Sequence, residues 1–491
     1  MIFSLISGLL KQSIEKNLIL EEDRIYVKNQ VLHLLKLKSS PQIIRPKEDT
    51  IPNLLDHIIE YAVNEKIIDN VLDEKEILTA DIMNCFLSKP SEIRNKFQQY
   101  YLKSPKAATD YFYELSKNSN YIQMNRINKN ISFKVDTEYG VMDITINLSK
   151  PEKEPEQIKR EKENHSHVNY PKCLLCIENE GYGGRIGHPA RSNHRIIPVI
   201  LQDETWYLQY SPYVYYNEHC ILLSEKHRDM KINQDTFFRL LTFTEKFPHY
   251  FIGSNADLPI VGGSILSHDH YQGGNYEFAM PNAVDDFTFE LNAFPTVKSS
   301  IIKWPMSVIR LKGEKKEEII KAAEFIREKW KYYTDEEANI RAFTDDTPHN
   351  TITPIARKRQ DQFELNLVLR NNRTDETHPM GIFHPHEDVH HIKKENIGLI
   401  EVMGLAVLPP RLINELKEIK EFIAGNTTSV TLYHQEWANE LKQKYTNLSD
   451  ANELNIVIKQ ELGNKFVKVL QDAGVCKNRD DFNRFIDYMN S

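Results

Sequence analysis

Apolar residues recur at helical spacing over the first quarter of the chain and then switch to strand-like alternation. Residues 51–68 place apolar side chains every three or four positions, with Pro52 near the start, which predicts an amphipathic helix. From residue 131 the period becomes two. Residues 131–135 and 141–148 alternate around a turn at 138–140 and predict a β-hairpin.

Residues 170–408 are rich in predicted strands with interspersed helices. The strand predictions are residues 196–201, 206–210, 219–223, 249–252, 264–272 and 363–369. Asn233 is a favourable N-cap for a helix that ends before Pro248. Helical spacing returns after Pro410, for example at 411–423 and 451–473.

This order of elements predicts a mixed α/β (α+β) fold, with antiparallel-sheet halves flanked by helical regions. The chain divides into a helical N-terminal region at 1–125, a first catalytic half at 126–280, a second strand-rich half at 281–409 and a helical C-terminal region at 410–491. Residues 149–164 are charged, contain proline and are poor in apolar side chains, which predicts a solvated linker.

Composition narrows the function classes. A formal net charge of -8 argues against binding to nucleic acid or to an anionic membrane. No apolar run has the length of a membrane span, and the short apolar N-terminus reads as a packed helix rather than a signal peptide. Five cysteines in 491 residues are too few for a disulfide framework, so we expect a reduced, cytoplasmic compartment. The oligomeric state stays open, a homodimer being one option.

A histidine-rich motif points to chemistry. On a strand, His268, His270 and Gln272 would project to one face, about 6.6 Å apart. Glycine pairs on both sides, Gly263 among them, permit close backbone approach to a ligand. Neutral imidazole can attack phosphorus, and a glutamine amide can donate a hydrogen bond to a phosphoryl oxygen. The competing interpretation is a polar surface strand with incidental histidines.

The pair Cys173 and Cys176 is a weak signal alone, compatible with coincidence, a redox pair or a metal site. Tetrahedral zinc needs two more ligands, for which His227 and His268 are the best candidates. We therefore predict one structural zinc ion and no organic cofactor.

Together these segments resemble the galactose-1-phosphate uridylyltransferase family, in the second type found in low-GC Gram-positive bacteria. The similarity covers most of the chain and lies in residues 139–153, 173–185, 267–274, 350–357 and 390–404. Asp269 and Tyr271 depart from the first type, which has prolines there, and the helical N-terminal region has no counterpart in it.

The resemblance implies a histidine-triad-like fold and exchange of UMP between UDP-glucose and galactose 1-phosphate by a ping-pong mechanism. It implies that His270 is the uridylylated nucleophile and that Gln272 holds the phosphoryl group. Cys173, Cys176, His227 and His268 match the zinc ligands of the first type. Asn193, Asn255 and Gly263 are the expected substrate contacts, with Gln272.

Two alternatives remain. Another histidine-triad-like nucleotidyl phosphorylase or transferase would share the chemistry of His270 but use a different base or sugar. A zinc-stabilised nucleic-acid-binding module would use the cysteines and histidines differently, but it predicts a basic face that the acidic net charge does not favour.

Overall fold

The computed structural model describes residues 1–149, 169–263, 265–446, 448 and 450–491. Most of the linker predicted at 149–164 therefore lies outside the described residues. The helices within the described ranges are α1 (Ile2–Glu15), α2 (Arg24–Leu34), α3 (Ile51–Asn64), α4 (Leu72–Asn84), α5 (Pro90–Tyr101), α6 (Pro105–Asn118), α7 (Met124–Ile127), α8 (Gln234–Lys246), α9 (Ala279–Asn282), α10 (Lys316–Tyr332), α11 (Leu399–Val402), α12 (Leu412–Ile423), α13 (Gln435–Lys444), α14 (Ala451–Ala473) and α15 (Arg479–Asn490).

The strands follow the switch to period two in the sequence. They are β1 (Ile131–Thr137), β2 (Gly140–Ile146), β3 (Ile197–Leu201), β4 (Glu204–Tyr210), β5 (Cys220–Ser224), β6 (Phe251–Gly253), β7 (His270–Gly274), β8 (Asp285–Phe289), β9 (Lys298–Ile302), β10 (Val308–Gly313), β11 (Phe343–Thr344), β12 (Thr347–Pro348), β13 (Asn350–Arg359), β14 (Gln362–Asn371) and β15 (Leu405–Leu408).

The described chain forms two compact units, one from residues 1–129 and 149–228, the other from 130–148 and 229–491. Antiparallel sheets combine with helical segments at both ends of the chain, which confirms the predicted mixed fold class. The four-part division along the sequence stays a prediction. Among the described residues, no helix has the length and apolarity needed to cross a membrane.

The first unit is built on the N-terminal helices. Helix α3 begins after Thr50, whose hydroxyl accepts a hydrogen bond from the backbone N–H of Asn53. Its residues Leu54 and Ile58 are fully buried in one cluster with Leu9 of α1, because their helical spacing puts them on one face. The predicted helix was four residues too long, since α3 ends at Asn64. Strands β3, β4 and β5 add an antiparallel meander.

The second unit contains an antiparallel sheet with the strand order β7-β6-β13-β14-β10-β9-β8. Alternation gives β13 and β14 one apolar face, formed by Ile352, Pro354, Ala356, Leu365, Leu367 and Leu369. The opposite face bears polar side chains, including Thr351, Thr353, Glu364, Asn366 and Arg370. Both faces are buried, so the polar face needs hydrogen-bond partners within the fold.

A smaller sheet in the same unit has the order β1-β2-β15, with β1 antiparallel and β15 parallel to β2. Helix α14 packs against β1 through Gly463, where an added Cβ would lie 2.4 Å from a methyl carbon of Val135. This close approach explains a glycine in the middle of a long helix, where its low propensity costs about 1 kcal/mol relative to alanine.

A buried hydrogen-bonded chain connects three residues of the C-terminal part. The Nε2 of His434 lies 2.9 Å from Oε2 of Glu415, and the Nδ1 of His434 lies 2.8 Å from the Nδ1 of His391. A carboxylate only accepts, so His434 donates from Nε2 and accepts at Nδ1 from His391. Burial lowers the pKa of His434 and lowers that of His391 to about 3. Both rings are therefore neutral at neutral pH.

The hydrogen bonds among His391, His434 and Glu415 predict that the free energy of unfolding falls in acid. The folded pKa of His391 lies below the value of about 6.5 of an unfolded chain, so the unfolded state binds more protons below that pH. The stability contributed by the neutral ring is present above about pH 6.5 and is lost as the pH falls toward 3. Relative to the variant His391→Gln, we expect wild type to lose about 2 kcal/mol of unfolding free energy between about pH 7 and about pH 5.

Urea titrations across that pH range measure the difference. The matched control is His33→Gln, at an exposed position of α2, which should keep the pH dependence of wild type. Parallel stability curves for wild type and His391→Gln would contradict the prediction.

Candidate functional site

The predicted nucleophile stands at the start of a strand. His270 is the first residue of β7, and Gln272, two positions later, pairs with Gly253 of β6. Successive side chains alternate along a strand, so His270 and Gln272 project to the same face of the sheet. His270 is buried, with 6% of its surface exposed, and Gln272 is partly exposed.

One hydrogen bond sets the tautomer of His270. Its Nδ1 lies 2.8 Å from the carbonyl oxygen of His268. Because a carbonyl can only accept, Nδ1 bears the proton and Nε2 keeps its lone pair. Burial lowers the pKa of His270 to about 4, against the opposing effect of the bond to the His268 carbonyl. The neutral ring is the form that a nucleophile requires.

The predicted strand at 264–272 is wrong over its first part. Residues 265–269 lie outside any strand, and Ser264 is outside the described residues. The preceding loop turns tightly, since a Cβ on Gly262 would lie 2.5 Å from the carbonyl oxygen of Leu258. His268 therefore sits in a bend before β7, and strand alternation does not relate its side chain to that of His270.

The four predicted metal ligands come together. The sulfurs of Cys173 and Cys176 and one ring nitrogen each of His227 and His268 all lie within 4.8 Å of one another. The Sγ of Cys176 is 3.5 Å from that of Cys173 and 3.2 Å from Nδ1 of His227. Two thiols and two imidazoles form a donor set suited to a tetrahedral metal ion. The group can hold a metal.

Asn179 is a residue that the sequence did not reveal. Its amide donates to the carbonyl oxygens of Cys173 and Cys176, at 2.8 Å each, and its Oδ1 lies 2.8 Å from Nε2 of His188. These bonds fix the backbone of the turn between the cysteines, as outer partners of metal ligands commonly do. An asparagine three residues after the second cysteine was the only signal, and it is a weak one.

Asn255 and Gly263, two predicted substrate contacts, lie against each other. The Oδ1 of Asn255 accepts a hydrogen bond of 2.9 Å from the backbone N–H of Leu399, which leaves the amide NH₂ as the donating end. A Cβ on Gly263 would lie only 2.7 Å from the Nδ2 of Asn255. Glycine at 263 therefore makes room for the Asn255 amide.

Asn193 lies in a segment held by the N-terminal helices. Its amide donates to the carbonyl of Ser119 at 3.0 Å, and the neighbouring Ser192 hydroxyl donates to Asp81 at 2.5 Å. Asn193 also lines a cavity of about 100 Å³ together with Tyr121, Arg191 and Tyr213. The helical N-terminal region thus forms part of the surroundings of Asn193, a role that the sequence did not indicate.

Two family models match the chain. The model for the galactose-1-phosphate uridyl transferase N-terminal domain matches residues 17–229, and that for the C-terminal domain matches residues 243–439. Both models describe domains of a nucleotidyltransferase, which is the class of protein that they assign to this chain. The chain belongs to the galactose-1-phosphate uridylyltransferase family.

Individual relatives agree with the family models. The galactose-1-phosphate uridylyltransferase of Clostridium perfringens (strain 13 / Type A) is 52% identical over 494 residues, covering 99% of each chain. That of Bacillus subtilis (strain 168) is 49% identical over 499 residues, covering 98% of this chain and 96% of its own. A solved structure, yeast Ap4A phosphorylase Apa2, aligns with a TM-score of 0.34 at 12% identity, over 67% of this chain and 91% of that one.

Proposed function

We propose that this protein transfers a uridylyl group between UDP-glucose and galactose 1-phosphate, giving glucose 1-phosphate and UDP-galactose. The observation that carries the proposal is identity of about half the residues, over nearly the whole chain, with proteins named for this activity. The expected ligands are the two UDP-sugars and the two hexose 1-phosphates. The cytoplasmic location and the homodimer stay predictions.

His270 is the nucleophile in this proposal. Its Nε2 attacks the α-phosphorus of UDP-glucose, a nitrogen–phosphorus bond forms, and the bond to the oxygen of glucose 1-phosphate breaks. A phosphate oxygen of galactose 1-phosphate then attacks the same phosphorus, which releases UDP-galactose and restores His270. The lone pair on Nε2 and the neutral ring support this assignment, because attack needs no separate base.

Gln272 is the partner of His270 on the same strand face. Its amide can donate a hydrogen bond to a non-bridging oxygen of the transferred group, where negative charge develops. It cannot accept a proton from water near neutral pH. Asn193, Asn255 and Gly263 complete the proposed substrate contacts.

The ion held by the cysteine–histidine group is zinc in this proposal, and its role is structural. The two cysteines and two histidines would supply all four ligands of a tetrahedral ion, which would leave no position for substrate. Burial raises the pKa of Cys176 to about 12, so the thiol is protonated without a metal and releases its proton when a metal binds. His268 links this group to the nucleophile through its backbone carbonyl.

The first prediction from the proposed function is a covalent intermediate. UDP-glucose without acceptor should add one uridylyl group per chain and release glucose 1-phosphate, because His270 must wait for the second substrate. The nitrogen–phosphorus bond should break in acid and survive alkali. Intact-mass measurement detects the adduct. In His270→Ala we expect neither adduct nor turnover, whereas the control His33→Gln should behave as wild type. Normal labelling of His270→Ala would refute the nucleophile assignment.

The second prediction concerns the metal. Elemental analysis of protein purified without added metal should find about one equivalent of zinc, as a closed four-ligand site implies. Cys173→Ser should lose the metal and lower the thermal unfolding midpoint, because metal binding and folding are coupled. Cys85→Ser, at a cysteine outside the group, is the control. If the wild-type protein contains no metal and is fully stable, the prediction of a structural zinc site is wrong.

The third prediction addresses transfer against hydrolysis. A histidine at position 272 could accept a proton from water, which the glutamine amide cannot do. Gln272→His should therefore slow transfer and raise, by about tenfold, the fraction of uridylyl-enzyme lost as free UMP, the scale of a modest general-base effect. Preformed labelled intermediate is partitioned between UMP and UDP-galactose at fixed galactose 1-phosphate. If the ratio of UMP to UDP-galactose is unchanged in the variant, Gln272 does not limit hydrolysis, and exclusion of water from the site does.

A further inference from the structure

Two arginines on the polar face of the second unit's sheet differ in how they are satisfied. Arg310 of β10 is 3% exposed and uses all three of its nitrogens. Its Nε donates to Asn366, and its two terminal nitrogens donate to Asp285 and to the carbonyls of Met280, Pro281 and Ala283. This guanidinium is a structural element, since its hydrogen-bonding capacity is used within the fold.

Arg370 of β14 is 1% exposed, and among the described residues its guanidinium makes one hydrogen bond, from Nη2 to the carbonyl of Ile397 at 3.0 Å. Its Nε and Nη1 have no hydrogen-bond partner within the described ranges. Burial lowers the pKa of Arg370 to about 10, with Glu401 opposing the shift, so the side chain is still a cation at neutral pH. A buried cation with three spare N–H groups is costly unless a ligand uses them.

A threonine hydroxyl on the same face of the sheet is also buried without a hydrogen-bond partner among the described residues. Thr353 of β13 is 1% exposed, and its Oγ1 has no hydrogen-bond partner among the residues that the structure describes. Arg370 pairs across the ladder with Thr351, two residues from Thr353 on the same face. Arg357 also has two nitrogens without a partner among the described residues, but it differs from Arg370 because it forms an ion pair of 3.0 Å with Glu277.

The strand register places these groups on the nucleophile's side of the sheet. Gln272, Gly253, Ile355 and Asn366 form one cross-strand row. His270, Thr353 and Arg370 all lie toward the same end from that row, and by alternation they project to the same face. On strand spacings, Thr353 lies roughly 10 Å and Arg370 roughly 16 Å from His270 between Cα atoms.

A second connection leads to the predicted substrate contacts. The segment from Ile397 to Leu399 accepts the hydrogen bond of Arg370 at one end and donates to Asn255 at the other. Arg370 is therefore one short backbone segment away from Asn255, which lies against Gly263.

We propose that Arg370 and Thr353 bind the phosphate of the hexose 1-phosphate, the group that leaves with glucose and arrives with galactose. The cationic guanidinium can donate charge-assisted hydrogen bonds from Nη1–H to phosphate oxygens, and the threonine hydroxyl can donate to another oxygen of the same phosphate. The subsite specifies an anionic acceptor and deepens the proposed function, on which it rests.

The test separates acceptor binding from stability. Arg370→Lys keeps the charge and loses the guanidinium N–H groups, so we expect KM for galactose 1-phosphate to rise about tenfold, the scale of one charge-assisted hydrogen bond. Thr353→Val is nearly isosteric and should raise KM about threefold without lowering the thermal unfolding midpoint, since the hydroxyl has no hydrogen-bond partner within the described ranges. The control Arg310→Lys should lower the midpoint and leave KM within about twofold, because only internal bonds are lost.

A binding measurement makes the outcome independent of turnover. Inorganic phosphate, at ionic strength matched with chloride, should raise the unfolding midpoint of wild type, because a ligand of the native state stabilises it. The effect should be lost in Arg370→Lys and reduced in Thr353→Val. If both variants keep the wild-type KM and phosphate effect, the subsite is wrong. If Arg370→Lys does not fold, Thr353→Val decides alone. A wild type that binds phosphate but fails to transfer uridylyl would overturn the proposed function and leave the anion site standing.

Discussion

One face of the sheet that contains β13 and β14 is polar and yet buried, and this constraint governs the second unit. Each polar group there has lost water, so it must find a partner in the fold or be held for a ligand. Arg310 finds its partners within the fold, since it donates hydrogen bonds to neighbouring carbonyls and to an asparagine side chain. Arg370 and Thr353 keep hydrogen-bonding atoms without a partner in the part of the chain that the structure describes, and the proposed phosphate subsite uses these atoms.

The nucleophile follows from the same constraint. Burial favours the neutral form of His270, and the carbonyl of His268 accepts a hydrogen bond from the one N–H that the ring bears. The lone pair is thereby left on Nε2, which alternation along β7 directs to the face of Gln272. The residue that provides this carbonyl also provides a ring to the cysteine–histidine group. In the proposed mechanism, metal binding at His268 therefore bears on the position of His270.

In the first unit, the N-terminal helical region forms hydrogen bonds and a ring contact with residues 191–195. Arg195 donates to Asn84 at 2.8 Å and to the carbonyl of Ser88 at 3.3 Å, and Tyr121 stacks on His194 with ring centroids 4.6 Å apart. With the bonds of Ser192 and Asn193, these contacts fix the segment from residue 191 to 195. These bonds connect the N-terminal helices to the segment that contains Asn193.

The sequence by itself determined the elements whose signals are local. The hairpins β1–β2 and β3–β4 and the helix α14 follow from period and caps within a few residues. It also pointed to the motif around His270 and to four candidate ligands, although the cysteine pair alone was equally compatible with coincidence or a redox pair.

Only the tertiary structure decided where β7 begins, which tautomer His270 adopts, and that Asn179 braces the cysteine turn. It alone distinguished Arg310 from Arg370, two arginines with similar strand contexts. The reason is physical. Burial and hydrogen-bond partners come from residues far apart in the chain, such as Arg370 and Ile397 or Asn255 and Leu399, and no local pattern encodes them.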